Sequence, residues 1–92
     1  ITRGNLERLA TWIAGEPKLS WIRPGSGTTA LVKLGIEMNS YDFCIALLRE
    51  TGVLFTPGSA LGMEGYFRIG YANNPEILTA GLRRVSDFLS RH

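Results

Sequence analysis

Apolar residues recur at helical spacing through Leu6, Leu9, Ala10 and Ile13, with Glu7 and Arg8 on the opposite side, so an amphipathic helix is predicted over Asn5 to Ala14. Gly15 and Pro17 end it. Leu19 to Arg23 reads as a short strand stopped by Pro24, and Gly25, Ser26 and Gly27 turn the chain into the β-rich run Thr28 to Leu34, predicting two strands in a hairpin relation. A second helix is predicted from Ser40, read as the N-cap with Asp42 in the first turn, to Gly52, with Phe43, Ala46, Leu47 and Leu48 as its apolar face. Val53 to Phe55 is predicted as a short strand, followed by a glycine-rich corner and the longest strand, Gly65 to Ala72.

Period-two alternation in that strand sets Tyr66, Arg68 and Gly70 on one face and Phe67, Ile69 and Tyr71 on the other. Asn74, Pro75 and Glu76 read as N-cap, first helical residue and an acid matched to the helix dipole. The last helix, Pro75 to Ser90, is predicted to bury Ile77, Leu78, Leu82, Val85, Phe88 and Leu89. The order α-β-β-α-β-β-α predicts an α+β two-layer sandwich, a small, mostly antiparallel sheet covered by helices. No repeat, low-complexity tract or linker divides residues 1–92, so a single domain is expected.

Composition narrows the class. Ninety-two residues with 45% apolar and 20% charged side chains suit one small globular domain, near the size at which a domain is marginally stable alone. No run approaches the roughly eighteen apolar residues of a membrane span, so a soluble chain with no membrane partner is expected. The start at Ile1, with no signal-peptide pattern, is what a domain cut from a longer chain would show. Cys44 is the only cysteine; no internal disulfide can form, which fits a reducing, cytoplasmic setting, and its place between Phe43 and Ile45 suits a small buried hydrophobe. The net charge of +2 is spread without a basic block and does not call for nucleic acid. His92, the only histidine, ends the chain, so neither a metal site nor a histidine-based nucleophile is expected.

Candidate chemistry centres on the corner Thr56 to Ile69, T-P-G-S-A-L-G-M-E-G-Y-F-R-I. A Pro-Gly-Ser turn at Pro57 to Ser59, with Gly62 and Gly65 beyond it, lets the backbone bend and approach a ligand before the strand that carries Arg68. A planar guanidinium opposite an apolar strand face suits bidentate recognition of a carboxylate. Tyr66 shares that face, and Ser59, Ala60 and Leu61 lead to it, though packing and a plain β-turn account for these four equally well. The run G-S-G-T-T at Gly25 to Thr29 lacks the lysine of a phosphate loop and precedes a strand rather than a helix. Lys18 and Lys33 read as solvated charges.

The order P-G-S-x-x-G, G-Y-F-R-I-G-Y-A and N-P-E-I-L-x-x-G-L-R-R-V resembles the C-terminal end of class I and II pyridoxal-phosphate-dependent aminotransferases of fold type I. W-I-R-P, G-T-T-A-L-V-K-L and D-F-C-x-x-L-L-x-E-T-G-V fall in the family's order as well, so the resemblance runs along essentially the whole chain. It implies that residues 1–92 are the C-terminal small domain of a longer chain whose large domain holds the Schiff-base lysine, the phosphate-binding residues and the pyridine-nitrogen aspartate. By position it implies that Arg68 grips the α-carboxylate of amino-acid and 2-oxo-acid substrates, in a parent that uses pyridoxal phosphate and works as a homodimer. No catalytic, cofactor-binding or metal-binding residue is then expected in this chain, which alone should be inactive and bind no cofactor. The competing reading is a small basic α/β module for single-stranded nucleic acid or a regulatory ligand. Tyr66, Phe67 and Tyr71 would be its stacking platforms, though Lys and Arg are not interleaved with them.

Overall fold

The computed structural model describes residues 2–24, 27–71 and 74–91. Its elements run α1 (Thr2–Ala14), β1 (Leu19–Trp21), β2 (Thr29–Leu34), α2 (Ser40–Thr51), β3 (Thr56–Pro57), a 3-10 turn (Gly58–Leu61), β4 (Tyr66–Gly70) and α3 (Pro75–Ser90). The four strands form one antiparallel sheet in the order β1-β2-β4-β3. This is the α+β sandwich that the patterning predicts.

Alternation decides which side of the sheet is dry. Ala30, Val32 and Leu34 of β2 and Phe67 and Ile69 of β4 are buried against the helices, while Thr29, Leu31, Lys33, Tyr66 and Arg68 face the other way. Phe43 of α2 sits 5.0 Å from the Phe67 ring and 5.7 Å from Phe88 of α3, and Phe55 stacks on Phe67 at 5.2 Å. These rings fasten α2, α3 and the β3 edge to the middle of β4.

Several boundaries and faces differ from the expectation. α1 starts at Thr2 rather than Asn5, and Asn5 lies inside it as a fully buried polar residue, its Nδ2 donating to the Tyr71 carbonyl at 2.8 Å. An apolar-periodicity reading misses a position of that kind. The N-cap of α2 is Asn39, whose side chain accepts from the Asp42 amide, and Ser40 is the first helical residue. On α2, Cys44 lies inward beside Phe43 and Leu47, and Leu48, one step round the helix, is 38% exposed. On α3, Leu78, Leu82, Val85 and Leu89 hold the buried stripe together with Phe88, but Ile77 falls off it and is 66% exposed.

β1 ends at Trp21, short of Arg23, and β2 begins at Thr29. Residues 53–55 form no ladder; pairing instead falls at Thr56 and Pro57, opposite Arg68 and Phe67. Pro57 is tolerated there because β3 is an edge strand. Pro57 to Ser59 is not an isolated turn but leads into the 3-10 turn. β4 spans five residues and is shorter than the six-residue β2, although the Tyr71 amide still donates to the Thr28 carbonyl at 2.8 Å. Ala72 and the first half of G-S-G-T-T, Gly25 and Ser26, lie outside the described residues, as does His92. The C-cap of α2 at Gly52, with φ 77°, and the N-cap of α3 at Asn74 stand as predicted.

Candidate functional site

The helix-free face of the sheet holds a groove of about 510 Å³. Arg68 lies in it, with Leu31, Tyr66, Ile22, Leu61 and Met63 as the apolar part of its wall. Antiparallel register sets Leu31 directly opposite Arg68 on one side and Thr56 on the other, so the arginine occupies the centre of a three-strand row. It is half-buried. Its Nη2 approaches Thr56 Oγ1 at 3.5 Å, the outer limit of a hydrogen bond, and among the described residues no carboxylate lies within ion-pairing distance of it. Arg23, close to the same rim, is committed elsewhere by an ion pair to Glu7. A half-buried guanidinium carries five donors in a planar fork, a geometry that can take two oxygens of one anion, and here it has one long contact to Thr56.

The corner that forms the groove's lip follows from its glycines. A Cβ on Gly58 would sit 2.0 Å from the Met63 carbonyl oxygen and 2.4 Å from that of Tyr66, so only glycine lets the 3-10 turn close on the start of β4. Gly65 has φ 91°, the left-handed region that glycine enters without strain. Met63 N donates to the Gly58 carbonyl at 2.7 Å and Tyr66 N to the Met63 carbonyl at 3.2 Å. Leu61 and Met63 thereby hang at the mouth of the groove, 39% and 38% exposed.

Glu64 ties this corner to α2. Its Oε2 accepts from the backbone amides of Ser40 and Gly65, each at 2.8 Å, and its Oε1 accepts from Ser40 Oγ at 3.1 Å. Ser40 Oγ in turn accepts from the Ser59 amide at 3.0 Å. The Ser40 amide first, then the Gly65 amide and the Ser40 hydroxyl, hold the Glu64 carboxyl below the ordinary glutamate value.

The residues singled out in the sequence separate clearly. Arg68 and Tyr66 lie in the groove together, and Leu61 is on its rim. Ser59 and Ala60 are exposed on the 3-10 turn, and Ser59 enters the site only through its amide. Cys44 is buried, and burial pushes its thiol up to about 11. Lys18 is not a solvated charge as expected: half-buried, its Nζ donates to the Leu89 carbonyl at 2.6 Å, satisfying an end group of α3. Lys33 is exposed on the open face. Of the three aromatics that a nucleic-acid surface would use, Phe67 and Tyr71 are fully buried, which leaves Tyr66 alone. Thr56, Leu31 and the Ser40–Glu64 pair were missed. Register and long-range hydrogen bonds bring them in, and no local spacing announces either.

Size does not select the site. A larger hollow of about 740 Å³ lies between α1 and α3, but its arginines, Arg8 and Arg83, are exposed and therefore solvated. Among the described residues no cluster of three metal-ligating side chains occurs, and no helix is long and apolar enough to cross a membrane.

Known proteins share this architecture and sequence. A pyridoxal-phosphate-dependent aminotransferase from Streptococcus suis is 44% identical and superposes with a TM-score of 0.96 over 99% of this chain. The chain belongs to the pyridoxal-phosphate-dependent aminotransferases. Nicotianamine aminotransferase A of Hordeum vulgare is 37% identical over 75 residues, 76% of this chain. Aspartate aminotransferase from Thermotoga maritima is 30% identical, with a TM-score of 0.79 over 97% of it. The chain spans 16% of the barley aminotransferase, and 24% and 22% of the two crystallised ones. No family model matches it.

Of the two lysines, Lys18 donates to the end of α3 and Lys33 is not among the residues that line the groove.

Proposed function

We propose that residues 1–92 are the C-terminal small domain of a longer aminotransferase and that Arg68 binds the α-carboxylate of its amino-acid and 2-oxo-acid substrates. One observation carries this reading: Arg68 lies half-buried at the centre of the open sheet face, among apolar side chains and without an acidic partner among the described residues. A carboxylate seated there would take two parallel N–H···O bonds, while Leu31, Leu61 and Met63 keep water from competing for the fork. The arginine moves no proton. By fixing the carboxylate it orients the substrate's Cα–H bond and contributes position rather than chemistry.

Pyridoxal phosphate, bound by a larger domain of the parent, supplies the electron sink for amino-group transfer. The open face with its apolar rim, Ile22, Leu61 and Met63, is the side turned toward that domain. The parent is a cytoplasmic homodimer in this reading, and the isolated chain is inactive and takes up no cofactor. Structure determination of the parent enzyme with a bound substrate-like carboxylate tests the assignment. Two carboxylate oxygens at about 2.7 to 2.9 Å from the Arg68 guanidinium are expected. A carboxylate held by other groups, with Arg68 turned away, would refute it.

A further inference from the structure

We propose that Ser40 and Glu64 form a latch that positions the lip of the Arg68 groove, so that both are positioning residues for substrate binding. Three observations carry this. First, the corner from Ser59 to Gly65 is pinned at both ends to one place, the first residue of α2: Ser59 through its amide to Ser40 Oγ, and Gly65 through its amide to the carboxylate that also takes the Ser40 amide and hydroxyl. Second, the two groove-lining side chains of that corner, Leu61 and Met63, lie between the pins, on backbone that passes through Gly62 at φ 72° and ends at Gly65 at φ 91°. Two left-handed glycines leave that segment many alternative paths, and the latch selects one. Third, Ser40 is fully buried although it is not the cap of its helix. Asn39 caps α2, so the Ser40 hydroxyl is free for its two long-range bonds, to residues 19 and 24 positions away.

A hydroxyl that accepts from an amide while donating to a carboxylate forms a charge-assisted chain, in which loss of the Ser40 side chain removes the acceptor of the Ser59 amide and loss of the Glu64 side chain removes the acceptor of the Gly65 amide and of the Ser40 hydroxyl. The nearby ionisable groups on neighbouring elements are Tyr41 and Asp42 in the first turn of α2, Lys33 at the end of β2, Glu37 in the turn beyond it, and Tyr66 and Arg68 on β4. Among the described residues none of these pairs with Glu64. The carboxylate is therefore held by hydrogen bonds, and protonation weakens its acceptors directly. The latch stands on its own geometry; only its effect on substrate rests on the role proposed for Arg68.

Amide hydrogen exchange on the parent enzyme, followed at the residues of this chain, reads the latch without reference to activity. In Ser40→Ala exchange at Ser59, and in Glu64→Ala exchange at Gly65, should rise by about tenfold or more, as expected when a protected amide loses its acceptor, while Phe67 and Ile69 keep their protection. In the unsubstituted chain, protection of Ser59 and Gly65 should fall together as Glu64 protonates, and Glu64→Gln should abolish that dependence. In the parent enzyme, Glu64→Ala should raise KM for amino acids several-fold with kcat changed less, the split expected when binding geometry rather than chemistry is lost. Unchanged exchange at Ser59 in Ser40→Ala and at Gly65 in Glu64→Ala, or loss of protection spread equally to Phe67 and Ile69, overturns the latch. If the alanine variants do not fold, the pH dependence of the unsubstituted chain decides: Ser59 and Gly65 amides indifferent to Glu64 protonation overturn it as well. The expected rise in exchange with KM unmoved would leave the latch standing and refute its part in substrate binding.

Discussion

At the scale of single residues, what distinguishes Arg68 from the other arginines of the chain is the cost of leaving it where it is. Arg23 and Arg91 pair with Glu7 and Glu50 at the surface, where such contacts contribute little. Among the described residues Arg68 has Thr56 at 3.5 Å and no carboxylate, beside an apolar wall, so most of its donors lack a strong acceptor there. Gly58 is the opposite kind of necessity, fixed by space rather than by charge. Gly58→Ala forces a Cβ against two backbone carbonyls and should destabilise the chain by more than about 2 kcal/mol, well beyond the ordinary cost of a surface substitution. A thermal melt compares it with Gly62→Ala, where nothing lies within 4 Å and only the left-handed φ is strained. Equal effects would show that close approach is not what Gly58 serves. Cys44, buried with its thiol raised to about 11, should resist alkylation at neutral pH in the folded chain and react only on unfolding. Rapid labelling under native conditions would contradict that placement.

At the scale of elements, the helices were legible where an unbroken apolar stripe and a capping residue agreed. α3 shows both, with Asn74 and Pro75 at its start and Leu78, Leu82, Val85 and Leu89 on one side. Leu82→Ala should therefore cost about 2 to 5 kcal/mol, whereas Ile77→Ala, at an exposed position that the apolar pattern had included in the core, should stay within about 0.5 kcal/mol. Comparable losses of stability for the two in chemical denaturation would return Ile77 to the core. The strand faces were legible too, since alternation fixes them: Phe67, Ile69 and Tyr71 are all fully buried. What could not be read is pairing. The strand expected over Val53 to Phe55 appears two or three residues later, because a ladder forms where a partner lies, and Phe55 spends its apolar side chain on stacking against Phe67 instead. For the same reason Leu31 and Thr56 became neighbours of Arg68 only through register, and Glu64, an acid in a glycine-rich corner, gave no sign of its partner 24 residues back.

At the scale of the whole molecule, two layers leave one sheet face without helices, and the groove, its arginine and the apolar rim all lie on it. Glu64 links that face to the helical layer and gives the molecule an acid-side dependence. Its folded-state value lies below that of an unfolded chain, so it stabilises the fold above roughly pH 4.3, the unperturbed glutamate value, and that contribution is lost as pH falls through the lowered value. The difference in Tm between the parent chain and Glu64→Gln should shrink steadily on acidification through that window; a difference independent of pH would assign the effect to packing. The central claim is that Arg68 recognises a carboxylate, and comparing substrates in the parent enzyme tests it most directly. Loss of a desolvated bidentate pair costs about 2 to 5 kcal/mol, so Arg68→Ala should lower kcat/KM for an amino acid by roughly two orders of magnitude or more, and Arg68→Lys should restore little of it. The corresponding amine without its carboxylate should be far less affected by either change. If Arg68→Ala instead reduced activity on carboxylated and decarboxylated substrates by the same factor, in an enzyme still folded and holding its cofactor, Arg68 would be a structural residue and the account would be wrong.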